Sequence, residues 1–180
     1  MFFEALRQQK ILPIITVNEI AQTRSTVSML KSNGLNIIEI TLRTPQSLEA
    51  LEEFCKDSDL VIGAGSISNV DQLEQVVSIG AKFGVSPGIF EPLVIRASQL
   101  GLPYIPGVAT PSEIMTAINL GVNQVKFFPS ETLGGIAALK SLSAPFPTVS
   151  FIPTGGINAE NYEEYLKHKF VLAVGGTWLT

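Results

Sequence analysis

The chain has 180 residues, 46% of them apolar and 16% charged, a balance that suits one compact domain over residues 1–180 and excludes a disordered chain. Twelve basic against sixteen acidic side chains give a net charge of −4 with no run of lysines or arginines, which disfavours nucleic acid and anionic membrane as partners. The opening Met1–Arg7 lacks the apolar core of a secretory signal, no stretch is long enough to span a bilayer, and a cytoplasmic location is expected.

In chain order, short β-rich runs alternate with helical patterns. A strand over Ile11–Val17 leads to a helix over Glu19–Ser32, a strand over Asn36–Leu42 to a helix over Pro45–Lys56, and a strand over Leu60–Ser66 to a helix over Val70–Ile79. Strands over Phe83–Pro87 and Tyr104–Val108 precede helices over Pro92–Leu100 and Pro111–Leu120. Strands over Gln124–Pro129 and Ser150–Gly155, a helix over Ala159–Lys167 and a strand over Val171–Gly175 complete the series. Gly34, Gly80, Gly101 and Gly121 each fall just past a helical pattern, where a left-handed residue closes the helix before the next strand.

Eight parallel strands without a break in composition point to a single α/β domain of the (β/α)8 TIM-barrel class. An open doubly wound sheet is the alternative, but no G-x-G-x-x-G follows the first strand. Thr180 follows strand eight so closely that the eighth helix of the barrel is apparently missing, so that either the sequence is truncated or something else covers the outer face of that strand.

Two charges interrupt apolar runs. Lys126 sits alone in Val125-Lys126-Phe127-Phe128-Pro129, and Glu39 in Asn36-Ile37-Ile38-Glu39-Ile40-Thr41-Leu42. A buried ammonium is costly, so such a lysine is paired, neutralised or used as a nucleophile. Alternate residues of a strand share a face, so Glu39, Thr41 and Arg43 point together, and Lys126 shares a face with Phe128. If both faces line the lumen, amine and carboxylate approach one another, as imine chemistry on a carbonyl substrate requires. The competing reading is a structural salt bridge, and Arg43 alone reads as a solvated loop residue. Thr154-Gly155-Gly156 and Gly175-Gly176-Thr177 close the last two strands, where exposed amides commonly hold a phosphate.

His168, the only histidine, falls at the opposite rim and reads as solvated or as a histidine facing the dipole of a helix C-terminus. With no histidine cluster, neither a catalytic zinc nor a Ser-His-Asp triad is supported, and no metal or other cofactor is expected. Cys55, the single cysteine, reads as a small apolar filler.

The ordered set Ile38-Glu39-Ile40-Thr41-Leu42-Arg43-Thr44, Gly63-Ala64-Gly65-Ser66, Val85-Ser86-Pro87-Gly88, Pro106-Gly107-Val108-Ala109-Thr110, Val125-Lys126-Phe127-Phe128-Pro129-Ser130-Glu131 and Pro153-Thr154-Gly155-Gly156-Ile157 closely resembles the 2-keto-3-deoxy-6-phosphogluconate and 4-hydroxy-2-oxoglutarate aldolases, from about Ile11 to Leu179. The resemblance implies a metal-free class I aldolase, a homotrimer of (β/α)8 barrels acting on a small keto-acid substrate in Entner–Doudoroff sugar-acid breakdown. It implies Lys126 as the Schiff-base lysine and Glu39 as the acid/base carboxylate. Arg43 with the hydroxyl of Ser66 would hold the substrate carboxylate. Thr154, Phe128 and Pro87 would line the pocket, and Gly155, Gly156 and Thr177 would form the phosphate end. An aldolase for another 2-keto-3-deoxy sugar acid, a catalytically impaired anion-binding barrel and a phosphosugar isomerase or epimerase remain alternatives.

Two departures from the family pattern carry expectations. Ser66 replaces the family's usual threonine, which implies looser carboxylate binding. The family continues past Leu179 into a final helix, so a chain ending at Thr180 is expected to bind phosphate more weakly and to be less stable.

Overall fold

The computed structural model describes residues 2–180, so Met1 of the opening segment lies outside the described residues. The strands are β1 (Ile11–Ile15), β2 (Ile37–Thr41), β3 (Val61–Gly65), β4 (Gly84–Val85), β5 (Tyr104–Ile105), β6 (Gly107–Val108), β7 (Gln124–Phe127), β8 (Ser150–Pro153) and β9 (Val174–Gly176). Helix α1 (Phe2–Gln9) precedes them. Between them run α2 (Ile20–Ser32), α3 (Ser47–Phe54), α4 (Val70–Ile79), α5 (Glu91–Gln99), α6 (Pro111–Asn119), α7 (Gly135–Ser143) and α8 (Tyr162–Leu166).

All pairings are parallel. One sheet has the order β5-β4-β3-β2-β1-β9, and the other β6-β7-β8. The expected fifth strand is divided at Pro106, which has no N–H to give to a ladder. Its carbonyl still accepts from Lys126 N at 2.9 Å, so chain continuity joins the sheets on this side. On the other side, parallel bridges Phe151↔Val171 and Thr154↔Gly175 tie β8 to the β9 segment. The result is an α/β fold whose parallel sheet curls round on itself. The last strand pairs with β1 from Val174, in register Ile11↔Val174, and therefore begins later than the sequence suggests.

The curl gives alternate residues different neighbours. Ile38 and Ile40 join Val27, Leu30 and Leu51 in an apolar layer between sheet and helices. Leu12, Ile37, Phe83, Val85, Ile105, Ile152 and Leu172, from widely separated strands, meet in one separate cluster. Only the concave side of the sheet can bring these together, so they mark the lower lumen. Helix α1 covers this floor. Leu6 is fully buried in the cluster, and Phe2 stacks on Phe83 with ring centroids 4.7 Å apart. Counting α1, ahead of β1, the described residues contain eight helices.

Gly34, Gly80, Gly101 and Gly121 all have left-handed φ values, between 65° and 108°. They close their helices as the spacing implies. Helix α6 starts with a capping box, in which Thr110 Oγ1 accepts from Glu113 N and the Glu113 carboxylate accepts from Thr110 N.

Candidate active site

Above the apolar floor, inward positions turn polar. Two residues beyond Ile37 on β2 stands Glu39, 1% exposed, and two beyond Gln124 on β7 stands Lys126, 4% exposed. Lys126 Nζ lies 3.8 Å from Glu39 Oε1. Neither carboxylate oxygen of Glu39 has a hydrogen-bond partner among the described residues. At 3.8 Å the amine is a loose electrostatic neighbour and no more, so this carboxylate is desolvated without the bonds that a structural ion pair normally supplies. Lys126 Nζ also sits 5.0 Å from the centroid of the Phe128 ring.

The carboxylate can lie there because of Gly65. A Cβ on Gly65 would fall 1.9 Å from Glu39 Oε1 and 2.5 Å from Glu39 Cδ. The glycine on β3 thus provides the cradle for the acid on β2, a role invisible in the motif Gly63-Ala64-Gly65-Ser66 until cross-strand distances are known. Gly175 does the same for Thr154, whose Oγ1 would be 2.4 Å from a Cβ there. Thr41 faces inward as expected but is fully buried and committed locally, its hydroxyl donating to Ile15 O at 3.2 Å.

Arg43, just past the end of β2, donates from Nε to Ser66 Oγ at 2.9 Å. It is exposed, yet it forms part of the wall of a cavity of about 130 Å³ lined also by Lys126, Phe128, Thr154, Gly155, Gly156 and Thr177. Ile14, Ile157 and Gly176 complete this lining; Gly176 belongs to the strand-end glycine pair read as an anion turn, whereas Ile14 and Ile157 have no separate signal in the sequence. Ser66 reaches the site through Arg43, and Glu39 through Lys126. Ser66 adopts φ 60°, a left-handed conformation that disfavours β-branched residues. Serine in place of threonine therefore eases this turn while keeping the hydroxyl on Arg43.

Pro87 borders the strand next to Lys126 without lining the cavity. It is exposed, and its carbonyl is packed against Gly107, where a Cβ would come within 2.1 Å of it. His168 is half-buried and not solvated, stacked on Phe170 with centroids 5.1 Å apart, and lines a separate hollow with Arg7, Lys10, Lys167 and Lys169. Cys55 packs at the margin of the large apolar layer, and burial pushes its thiol pKa upward. Among the described residues no three His, Cys, Asp or Glu side chains are grouped to hold a metal ion.

A nucleophilic amine, a carboxylate for proton transfer, a guanidinium with a hydroxyl beside it, and a glycine turn share one small site. That set can form and resolve an imine on an anionic keto acid.

Comparison with known proteins agrees. The family model "Aldolase: KDPG and KHG aldolase" matches residues 3–180. The 2-dehydro-3-deoxy-phosphogluconate aldolase of Dickeya dadantii is 40% identical over 170 residues, which are 94% of this chain and 80% of that protein. The KDPG aldolase of Legionella pneumophila, solved with pyruvate captured at low pH as a covalent carbinolamine intermediate, superposes with a TM-score of 0.94 at 40% identity, covering 99% of this chain and 87% of that one. The 2-keto-3-deoxy-6-phosphogluconate aldolase of Zymomonas mobilis, solved with 3-phosphoglycerate, gives a TM-score of 0.94 at 36% identity, over 98% and 85% of the two chains. On the match across nearly its whole length, the chain belongs to the KDPG and KHG aldolase family.

Proposed function

We propose that this chain is a class I aldolase that cleaves 2-keto-3-deoxy-6-phosphogluconate to pyruvate and glyceraldehyde 3-phosphate through an imine on Lys126. One observation carries the reading: a buried amine, at the wall of a cavity bearing Arg43, lies 3.8 Å from a buried carboxylate with no hydrogen-bond partner among the described residues. The family match and the covalent pyruvate adduct of the Legionella relative support it.

The neutral Lys126 amine attacks the C2 ketone, and the carbinolamine loses its hydroxyl as water with a proton from Glu39. The protonated imine that results is an electron sink. Glu39 then removes the C4 hydroxyl proton, the C4 oxygen electrons form the aldehyde, and the C3–C4 bonding pair moves through C3 to the imine nitrogen. Glyceraldehyde 3-phosphate leaves. The enamine takes a proton at C3, and water hydrolyses the imine to free pyruvate and the amine. Arg43, steadied by Ser66, pairs with the substrate carboxylate in a planar geometry that lysine could not reproduce. Thr154 and Phe128 confine the reacting carbons, and Gly155, Gly156 and Thr177 receive the phosphate. The same pyruvyl subsite would accept 4-hydroxy-2-oxoglutarate, releasing glyoxylate as the aldehyde.

Borohydride reduction in the presence of pyruvate tests the assignment. It is expected to add one reduced pyruvyl group to the peptide containing Lys126, and no adduct there would overturn the mechanism.

Within the same reading, the curled sheet forms a single-domain (β/α)8 barrel, assembled as a homotrimer. Support for the barrel comes from the bridges between β8 and β9, and for the trimer from the family resemblance alone. Sedimentation equilibrium would test the trimer. No described helix is long and apolar enough to cross a membrane, and a cytoplasmic enzyme is the reading that fits sugar-acid breakdown.

A further inference from the structure

The cavity wall at Gly155–Gly156 is held from behind by groups that the reaction itself does not use. Both glycines are left-handed, with φ 95° and 80°. Ser130 N donates to Thr154 O at 2.8 Å and Glu131 N to Gly155 O at 3.0 Å, so the loop after β7 runs hydrogen-bonded beside the loop after β8. The Glu131 side chain then lies flat against Gly156, where a Cβ would fall 2.5 Å from Glu131 Cβ and 2.6 Å from its Cγ. Asn161 Nδ2 holds the carbonyl of Gly156 from the other side at 3.0 Å.

What fixes Glu131 is a tyrosine. Tyr165 on α8 is 2% exposed, and its hydroxyl donates to Glu131 Oε1 and shares a 3.0 Å hydrogen bond with Ser130 Oγ, itself fully buried. Gly135 leaves room for this contact. A Cβ there would fall 2.9 Å from Glu131 Oε1 and 3.2 Å from the tyrosine oxygen. The hydroxyl therefore ties α8 to the loop after β7, whose Glu131 side chain in turn lies against Gly156 in the loop after β8. A neutral hydroxyl that donates to a carboxylate forms a strong bond, and its loss frees an otherwise exposed glutamate to swing into water.

We propose that Tyr165 and Glu131 are positioning residues that hold the Gly155–Gly156 turn in the form that receives the substrate's distal phosphate. They set the preference for phosphorylated over unphosphorylated keto acids without touching the reacting carbons. The proposal rests on the aldolase reading above and adds to it an origin for selectivity remote from Lys126.

The test compares Tyr165→Phe with the unaltered enzyme on 2-keto-3-deoxy-6-phosphogluconate and on its unphosphorylated counterpart, with pyruvate–borohydride trapping run on both proteins. KM for the phosphorylated substrate is expected to rise about five-fold or more with kcat changed less than about two-fold, while KM for the unphosphorylated substrate stays constant. Trapping at Lys126 is expected to be undiminished. Glu131→Ala is expected to reproduce the KM split, and Glu131→Gln, which keeps an acceptor oxygen for the tyrosine, to restore most of the preference. Should Tyr165→Phe fail to fold, the Glu131 pair decides the matter alone. Equal changes for the two substrates, or no change for either, would overturn the positioning role. Loss of trapping in the unaltered enzyme would instead overturn the aldolase reading and leave the clamp a purely structural contact.

Discussion

The two halves of the lumen share strands, β2 supplying Ile37 to one and Glu39 to the other, yet they do opposite things. The lower half is an apolar plug of Leu12, Ile37, Phe83, Val85, Ile105, Ile152 and Leu172, sealed by Phe2 and Leu6 of α1. One side-chain repeat higher, β2 carries Glu39 in place of an aliphatic residue, and β7 carries Lys126. Below, each contact lowers the free energy of folding by burial. Above, a carboxylate is buried with neither oxygen hydrogen-bonded among the described residues, which costs folding free energy. The floor is where stability comes from, and the upper layer is where part of it is given up for reactivity.

The sharpest way to break this comparison is to make the upper layer resemble the lower. Lys126→Met removes the proposed nucleophile and should reduce kcat/KM on the order of 10⁴-fold or more. It also leaves Glu39 as the lone buried charge, so the single variant should be less stable by about 3 kcal/mol near neutral pH. Adding Glu39→Gln should recover part of that loss while activity stays absent. Steady-state rates with denaturant melts of the single and double variants check both halves. Recovery of stability without recovery of activity is the signature of a pair kept for chemistry.

A subtler intervention leaves both reacting groups in place. Gly65→Ala inserts a methyl whose carbon would lie 1.9 Å from Glu39 Oε1, an overlap that must displace the carboxylate from its present place beside Lys126. The φ of Gly65 is not in the left-handed range, so the effect is one of space and not of backbone strain. Turnover should fall by about 10²-fold or more, the scale of losing a positioned acid/base. The mass of the pyruvate adduct trapped on Lys126 would be unchanged, although it would form more slowly. Turnover near that of the unaltered enzyme would show that Glu39 does not need this orientation.

Much of the upper layer is legible in the sequence because it violates a pattern: Lys126 and Glu39 stand out as charges within strand-like apolar runs, and Arg43 follows at the next positions on Glu39's face. The glycines that end helices are legible because a left-handed residue is needed at those spacings. Gly65 is different. Its requirement comes from a neighbouring strand, and no local pattern reports cross-strand distance. Helix α1 escapes for a related reason, since it lies outside the alternation of strand and helix and its purpose appears only once Phe2 meets Phe83. Helix α7 begins at Gly134–Gly135, both left-handed, which obscures a helix start. Tyr165 reads as one more apolar-face residue of a short helix until its hydroxyl is seen on Glu131.

The floor is tested by Phe83→Ala. This side chain is fully buried, stacks on Phe2 and occupies space that Gly63 leaves open, where a Cβ would lie 2.4 Å from the ring. Truncation should cost about 3–5 kcal/mol, since the surrounding strands cannot collapse into the void. Measured at a temperature where the variant is still folded, kcat should change by less than about two-fold, because the upper layer rests on backbone register more than on this ring. A fall in kcat comparable to that of Gly65→Ala would show that the two halves are mechanically coupled.

The smallest effect comes from setting the buried pair beside ordinary surface charges. Lys31 on α2 lies 2.7 Å from Asp57 and 3.0 Å from Asp59, shorter than the separation of Lys126 and Glu39, yet all three groups are in contact with solvent. The Lys31 hydrogen bond, then the backbone N–H of Asp59, hold the Asp57 carboxyl below its ordinary 3.8, and hydrogen bonds to Asp57 and Asp59 hold Lys31 above 10.5. For the lowered aspartate, stabilisation is present above about pH 3.8 and disappears as pH falls through the depressed folded-state value. For the raised lysine it is complete below about pH 10.5 and disappears as pH rises through the elevated one. Asp57→Asn should therefore flatten the acid limb of a Tm-versus-pH curve and, because the Asp57 hydrogen bond is the first cause of the raised Lys31 value, soften the alkaline limb as well. At neutral pH it should move Tm by no more than about a degree, and less still in molar salt, because water and ions already screen these charges. Lys126→Met should show no such rescue by salt. The shorter contact is the weaker one, since what separates the two pairs is access to water and not distance.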